Sequence, residues 1–149
     1  MAQQSAVRSG RSSGRTDTIS DRPLLLVNKP MTALRILIVE DEAIVAMLFA
    51  DLLVAMGYEV CAIEATEAGA VAAAVRYKPD LMIVDVHLMD GNGASAVAAI
   101  LRAGFVPHVF VSGDSLRERP FAPGSVVLQK PFRESDLVRA IESALGARA

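Results

Sequence analysis

Short apolar runs alternate with helical patterns along most of this chain, from about position 34 to about position 145. Continuous runs of Val, Ile and Leu are typical of parallel strands that are buried on both faces of a sheet. Strands that alternate with helices predict a parallel sheet that is covered by helices on both sides. The sequence therefore predicts an α/β fold with a doubly wound sheet of five parallel strands. The predicted strands span about 34–39, 58–63, 81–85, 106–111 and 125–128.

The segments between these strands predict helices. Thr66 is placed as the N-cap of the second helix, with Glu67 in its first turn. The apolar positions of the first helix that recur at near-helical spacing are Ile44, Met47, Leu48 and Leu52. We expect Met47, Met56 and Met82 to fill the core. The predicted helices span about 43–56, 66–76, 94–103 and 134–145.

Residues 1–32 differ from the rest of the chain in composition. They are rich in Ser, Arg, Gln and Gly without sustained periodicity, so we expect a disordered N-terminal tail. The apolar patch at 24–27 is too short and begins too late for a secretory signal, and Met31 is an alternative start. The predicted domain spans 33–147, and we expect no output domain after its last helix.

Charge and composition exclude several classes of protein. Beyond position 30 the chain has 10 basic and 15 acidic residues, and an acidic body without a basic stripe argues against nucleic-acid binding. No apolar run approaches the roughly 20 residues of a membrane span. The single cysteine, Cys61, excludes an internal disulfide and favours a reducing compartment. We therefore expect a cytoplasmic protein without a membrane or nucleic-acid partner.

The ends of the predicted strands have reactive side chains. Those that follow or end a strand are Glu40 and Asp41 (first), Asp85 (third), Ser112 (fourth) and Lys130 (fifth). The carboxyl ends of parallel strands lie along one edge of the sheet, which is where open α/β sheets bind their ligands. We therefore expect these five side chains to meet in one cleft.

Three carboxylates in one cleft require a compensating positive charge. Oxygen ligands with room for water are typical of Mg²⁺, so Glu40, Asp41 and Asp85 predict a magnesium site. A cation there also lets a phosphoryl group approach Asp85, whose carboxylate can act as the nucleophile that forms an acyl phosphate. Lys130 supplies a point charge for the phosphoryl oxygens, and Ser112 supplies a hydrogen-bond donor. The set predicts phosphoryl transfer onto Asp85.

The chain resembles the receiver domain of two-component response regulators, because four motifs of that family occur in order. They are Val-Glu-Asp-Glu at 39–42, Val-Asp at 84–85, Val-Ser-Gly at 111–113 and Lys-Pro-Phe at 130–132. The resemblance covers about residues 33–147 and implies a flavodoxin-like fold. It also implies a phosphorelay function, with a histidine kinase or a histidine phosphotransfer protein as the partner.

The resemblance also implies roles for individual residues. Asp85 is the phosphoacceptor, and it binds Mg²⁺ together with Asp41 and the backbone carbonyl of His87. Glu40 assists, through water. The remaining two roles are the switch hydroxyl, Ser112, and the phosphate-binding lysine, Lys130.

The chain departs from the family pattern in regions that, by the resemblance, transmit phosphorylation to the partner-binding surface. Receivers usually have an aromatic residue in the region that corresponds to 126–129, and a proline where this chain has Met89. Two prolines and a glycine within 115–124 predict a short or irregular fourth helix, between the fourth and fifth strands. Phe-Val-Ser-Gly at 110–113 resembles a variant single-domain subgroup with a Phe-x-Thr-Gly-type motif on strand four.

Other conspicuous residues have simpler explanations. We expect the side chain of His87 at the rim of the cleft and His108 in a structural position. The Gly-Asn-Gly triplet at 91–93 lacks the pattern of a phosphate-binding loop, so it predicts a turn that leads into a helix.

Three functions fit these observations. The first is a stand-alone response regulator that signals by protein contact or acts as a phosphate sink, with slow autodephosphorylation and no other enzymatic activity. The second is a phosphatase or phosphotransferase with an aspartyl-phosphate intermediate, similar to haloacid dehalogenases. Those enzymes have a second Asp two positions after the nucleophile, where this chain has His87. The third is a receiver-like scaffold that is never phosphorylated, and the intact acidic set with Lys130 counts against it.

Overall fold

A computed structural model describes residues 33–113, 121 and 123–146, which form five strands and four helices. The strands are β1 Arg35–Val39, β2 Glu59–Glu64, β3 Leu81–Asp85, β4 His108–Ser112 and β5 Val126–Gln129. The helices are α1 Ala43–Ala55, α2 Glu67–Tyr77, α3 Gly93–Leu101 and α4 Glu134–Gly146. The predicted tail and the predicted short helix between β4 and β5 lie outside the described residues, apart from isolated positions of the latter.

The sheet is parallel throughout, with the strand order β2-β1-β3-β4-β5. This order confirms the predicted doubly wound, flavodoxin-like architecture. None of the four described helices has the length and apolar content that crossing a membrane requires.

The two faces of the sheet have separate cores, since successive residues of a strand point to opposite faces. Helices α1 and α4 cover one face, and α2 and α3 cover the other. Strands β3 and β4 are buried along their whole length, which explains their unbroken apolar sequences. The first core contains Ile36, Ile38, Leu81, Ile83, Val109 and Val111 from the central strands. The second contains Leu37, Val39, Met82, Val84 and Phe110.

Helix α1 turns a different face to the core from the one that its spacing indicated. Its buried residues are Ala46, Phe49 and Leu53. Ile44, Met47 and Leu48 are 76%, 62% and 58% exposed, so the prediction that Met47 fills the core is wrong. The predictions for Met56, which packs against the core, and for the buried Met82 are confirmed. Asp51 is the only charged residue of the helix, and a helix that is apolar on all sides does not reveal its buried face by periodicity.

The starts of α2 and α3 have side-chain caps. Thr66 accepts a hydrogen bond from the backbone N–H of Gly69 at 2.9 Å, which confirms it as an N-cap. The side chain of Asn92 accepts hydrogen bonds from the backbone N–H groups of Ala94 and Ser95 in the first turn of α3. A Cβ atom at Gly93 would lie 2.0 Å from the carbonyl oxygen of Asp85. Only glycine therefore lets α3 begin directly against the end of β3.

Candidate functional site

The carboxyl edge of the sheet brings the three predicted carboxylates together. Val39 of β1 pairs with Val84 of β3, so Glu40 and Asp85, which follow them, lie side by side at the strand ends. One oxygen each of Glu40, Asp41 and Asp85 lies within 4.8 Å of the others. Chain order reverses at β1, whose neighbours are β2 and β3. This is the switch point at which open α/β sheets bind ligands.

Glu40 is the most deeply buried of the three, with a relative exposure of 3% against 9% for Asp85. Its Oε1 accepts a hydrogen bond from the backbone N–H of Glu42 at 3.1 Å. Among the described side chains, its Oε2 is a buried oxygen without a hydrogen-bond donor. Burial raises the pKa of Glu40 to about 7, and the neighbouring Asp85 contributes to the rise. Ionisation of all three carboxylates is therefore unfavourable without a further positive charge.

These observations fit a bound divalent cation. A buried carboxylate oxygen without a donor is costly, and a metal ion would satisfy it. Three carboxylate oxygens within 4.8 Å of one another form the hard donor set that Mg²⁺ prefers. The acidic residues therefore support the expected metal site by their chemistry as well as by their proximity.

Lys130 supplies a positive charge to the cluster. Its Nζ lies 3.5 Å from Oδ2 of Asp85 and 3.7 Å from Oε2 of Glu40. The residue directly follows β5, and its backbone N–H donates a hydrogen bond to the carbonyl oxygen of Ser112 at 2.8 Å. One ammonium does not balance three carboxylates, so the ionised cluster keeps an excess of negative charge.

Ser112 ends β4 at the same edge and is 1% exposed. Asp85 pairs with Val111, and Ser112 pairs with Gln129 of β5. Ser112 therefore lies between the strand that ends in Asp85 and the strand that leads to Lys130. All five predicted side chains come to one edge of the sheet, as their positions in the sequence indicated.

The loop after β3 donates backbone hydrogen bonds to two of the carboxylates. The N–H of His87 donates to Oδ1 of Asp85 at 2.9 Å, and the N–H of Met89 donates to Oδ2 of Asp41 at 2.7 Å. The side chain of His87 is exposed, as its predicted rim position requires. The Met89 side chain is 93% exposed.

Sequence reasoning missed the residue that anchors this loop. Oε1 of Glu67 accepts a hydrogen bond from the backbone N–H of Asn92 at 3.0 Å. The sequence places Glu67 only in the first turn of its helix. No local pattern links it to Asn92, 25 positions away. Only the packing of α2 beside α3 brings the two residues together.

Comparison with known proteins identifies the family. The chain matches the family model described as "response regulator receiver domain" over residues 36–142. The transcriptional regulatory protein PdtaR of Mycobacterium tuberculosis is 38% identical over 115 residues, which cover 74% of this chain and 56% of PdtaR. The phyllosphere-induced regulator PhyR of Methylorubrum extorquens is 34% identical over 119 residues, which cover 76% of this chain and 44% of PhyR.

A solved structure agrees with these relatives. The solution NMR structure of the Erythrobacter litoralis PhyR response regulator REC domain matches with a TM-score of 0.69 and 31% identity. The match covers 76% of this chain and 91% of that domain. The chain spans about half the length of the two curated relatives. The region matched by the family model includes every residue of the carboxyl-edge site, and the chain belongs to the response regulator receiver domain family.

Proposed function

We propose that this chain accepts a phosphoryl group on Asp85, in a magnesium-dependent reaction, from a histidine kinase or a histidine phosphotransfer protein. The observation that carries the proposal is the convergence of Asp85 with two further carboxylates and Lys130 at the switch point of the sheet. The names of the relatives PdtaR and PhyR, both regulators, support a signalling role.

Glu40, Asp41 and Asp85 would hold the Mg²⁺ ion, together with the backbone carbonyl of His87 that the family resemblance implies. When bound, the ion supplies positive charge that neutralises the carboxylates and polarises the phosphoryl oxygens. Oε2 of Glu40 supports this role, because it is buried without a hydrogen-bond donor and only faces the Lys130 ammonium at 3.7 Å, which is unfavourable for a buried oxygen.

The residues of the chain orient the reacting groups. The N–H of His87 holds one oxygen of Asp85 in place, and Lys130 faces the other. A carboxylate oxygen of Asp85 forms a bond to phosphorus, while the bond from phosphorus to the donor's imidazole nitrogen breaks and its electron pair stays on that nitrogen. Lys130 then neutralises the new phosphoryl group, and the hydroxyl of Ser112 donates a hydrogen bond to it.

Phosphorylation would change the carboxyl edge in charge and hydrogen bonding. Ser112 and Lys130 contact the phosphoryl group and so change the ends of β4 and β5. This change shifts the protein between two conformations that differ in affinity for a protein partner. The chain then signals by protein contact in the cytoplasm or acts as a phosphate sink. Hydrolysis of the acyl phosphate is slow and limits the lifetime of the signal.

Intact-mass measurement after incubation with acetyl phosphate and Mg²⁺ tests the proposal. We expect a base-labile increase of about 80 Da, the mass of one phosphoryl group. The increase disappears in Asp85→Asn and when a chelator removes the metal. Equal labelling of Asp85→Asn, or labelling that does not depend on a divalent metal, would refute the proposal. Sustained phosphate release from unrelated small phosphate esters would favour the phosphatase alternative instead.

A further inference from the structure

Glu67 holds the loop between β3 and α3, residues 86–92, against the start of α2. Its side-chain Oε1 accepts the N–H of Asn92 at 3.0 Å. Its own backbone N–H donates to the carbonyl oxygen of Asp90 at 3.1 Å. The preceding residue, Thr66, forms a β-bridge with Asp90. Glu67 therefore contacts the loop through both its side chain and its backbone.

The loop lies in close contact with Glu67. Gly91 has a φ of +95°, a conformation that favours glycine. A Cβ atom at Gly91 would lie 2.4 Å from Cβ of Glu67. The loop backbone therefore rests directly on the Glu67 side chain, and a change in that side chain alters the support of the loop.

The first half of the same loop orients the carboxylates of the site. The N–H groups of His87 and Met89 donate to Asp85 and Asp41. The loop is also closed on itself, because His87 forms an antiparallel bridge with Asn92. Only this short, closed connection separates the residue that Glu67 holds from the N–H groups that hold the carboxylates.

We propose that Glu67 is a positioning residue for phosphoryl transfer, because it fixes the loop whose N–H groups orient Asp41 and Asp85. This inference rests on the proposed function. The role requires an acceptor atom at the position of Oε1 and does not require a negative charge. Glutamine keeps that acceptor and has the same length, whereas alanine removes it.

The test compares wild type, Glu67→Ala and Glu67→Gln in two measurements. The first is the dissociation constant for Mg²⁺, taken from the increase of Tm with metal concentration in the unphosphorylated protein. The second is the initial rate of labelling by acetyl phosphate. We expect Glu67→Ala to weaken Mg²⁺ binding about tenfold and to slow labelling about tenfold. An effect of about tenfold is the lower end of the range usually seen when a residue that orients metal ligands is lost. Glu67→Gln should stay within about twofold of wild type.

Glu134→Ala is the matched control, because Glu134 is also an acidic first-turn residue and lies on α4. It loses the same favourable interaction with a helix terminus and should leave both measurements unchanged. Wild-type Mg²⁺ affinity and rate in Glu67→Ala would overturn the inference, as would equal losses in Glu67→Gln and Glu67→Ala. If Glu67→Ala does not fold, Glu67→Asp, whose acceptor is one methylene too short, replaces it with the same expectation. Absence of labelling in wild type would refute the proposed function, while the Mg²⁺ measurement would still decide the role of Glu67.

Discussion

Buried polar groups differ between the two ends of the parallel strands. We call these ends the amino edge, where the strands begin, and the carboxyl edge, where they end. At the amino edge, His108 is fully buried, and its Nδ1 and Nε2 contact the carbonyl oxygen of Val106 at 2.8 Å and the hydroxyl of Ser125 at 2.7 Å. At the carboxyl edge, Glu40 is almost as deeply buried, and its Oε2 has no hydrogen-bond donor among the described residues. At the amino edge both ring nitrogens of His108 have partners, whereas at the carboxyl edge one oxygen of Glu40 lacks a hydrogen-bond donor.

The difference separates stability from function within one sheet. A carbonyl oxygen can only accept, so Nδ1 of His108 carries the proton and Nε2 accepts from Ser125. This neutral, satisfied histidine confirms the predicted structural position. At the other edge, the crowded carboxylates leave an excess of negative charge that a bound cation would neutralise, and this would let a phosphoryl group approach Asp85. Perturbed ionisable groups of this kind concentrate at functional sites.

The largest expected effect concerns Lys130, the positively charged side chain at the carboxyl edge. Lys130→Ala should reduce the rate of Asp85 labelling about 100-fold, because a positioned charge on a phosphoryl group contributes that much to transfer. Labelling by acetyl phosphate, followed by intact mass, measures the rate. Arg102→Ala is the control, since Arg102 is an exposed cation at the end of α3, toward the amino edge. An equal loss in both variants would show that general charge, and not Lys130 at the site, controls the reaction.

A substitution at the amino edge should lower the free energy of unfolding and leave the rate of Asp85 labelling unchanged. His108→Ala removes a buried ring and leaves its two partners unpaired, so we expect a loss of about 3 kcal/mol in the free energy of unfolding. Urea denaturation at pH 7.5 measures it. A rate of Asp85 labelling far below wild type in folded His108→Ala would contradict the separation of the two edges.

The pH dependence of unfolding provides a check on His108. Burial lowers the pKa of His108 below its ordinary 6.5, while its bond to Val106 opposes the shift. Well above pH 6.5 the ring is neutral in both the folded and the unfolded state, and its contribution to stability is fully present. As the pH falls below 6.5, the unfolded chain binds a proton at this histidine while the folded protein does not, and the folded state becomes less stable. This loss continues until the pH reaches the lower pKa of the folded state. The stability difference between wild type and His108→Ala should therefore shrink in acid.

The smallest effect is a gain in stability. Glu40→Gln removes a buried charge and should stabilise the metal-free protein by about 1 kcal/mol at pH 8. The pKa of Glu40 is raised to about 7 from 4.5, so its ionisation opposes folding progressively as the pH rises through that interval, and the gain should vanish at pH 4. Thermal unfolding at both pH values measures the difference. A destabilised Glu40→Gln at pH 8 would show that the carboxylate is satisfied after all.

The sequence predicts the site better than it predicts the helix surfaces. Strands buried on both faces read as continuous apolar runs, and their order along the chain places Glu40, Asp85 and Lys130 at a common edge. The buried face of α1 was not predictable, because apolar residues surround that helix. The link from Glu67 to Asn92 was not predictable either, since it depends on how two helices pack. The family subgroup and the form of the segment between β4 and β5 stay predictions.

The most direct test of the account is the chemical location of the transferred phosphoryl group. Borohydride reduces an aspartyl phosphate to homoserine, and peptide mass spectrometry then identifies the modified position. After incubation with acetyl phosphate and Mg²⁺, we predict homoserine at position 85 and at no other aspartate. Homoserine at position 41, or unmodified Asp85 in a protein that has gained a phosphoryl group, would contradict the account.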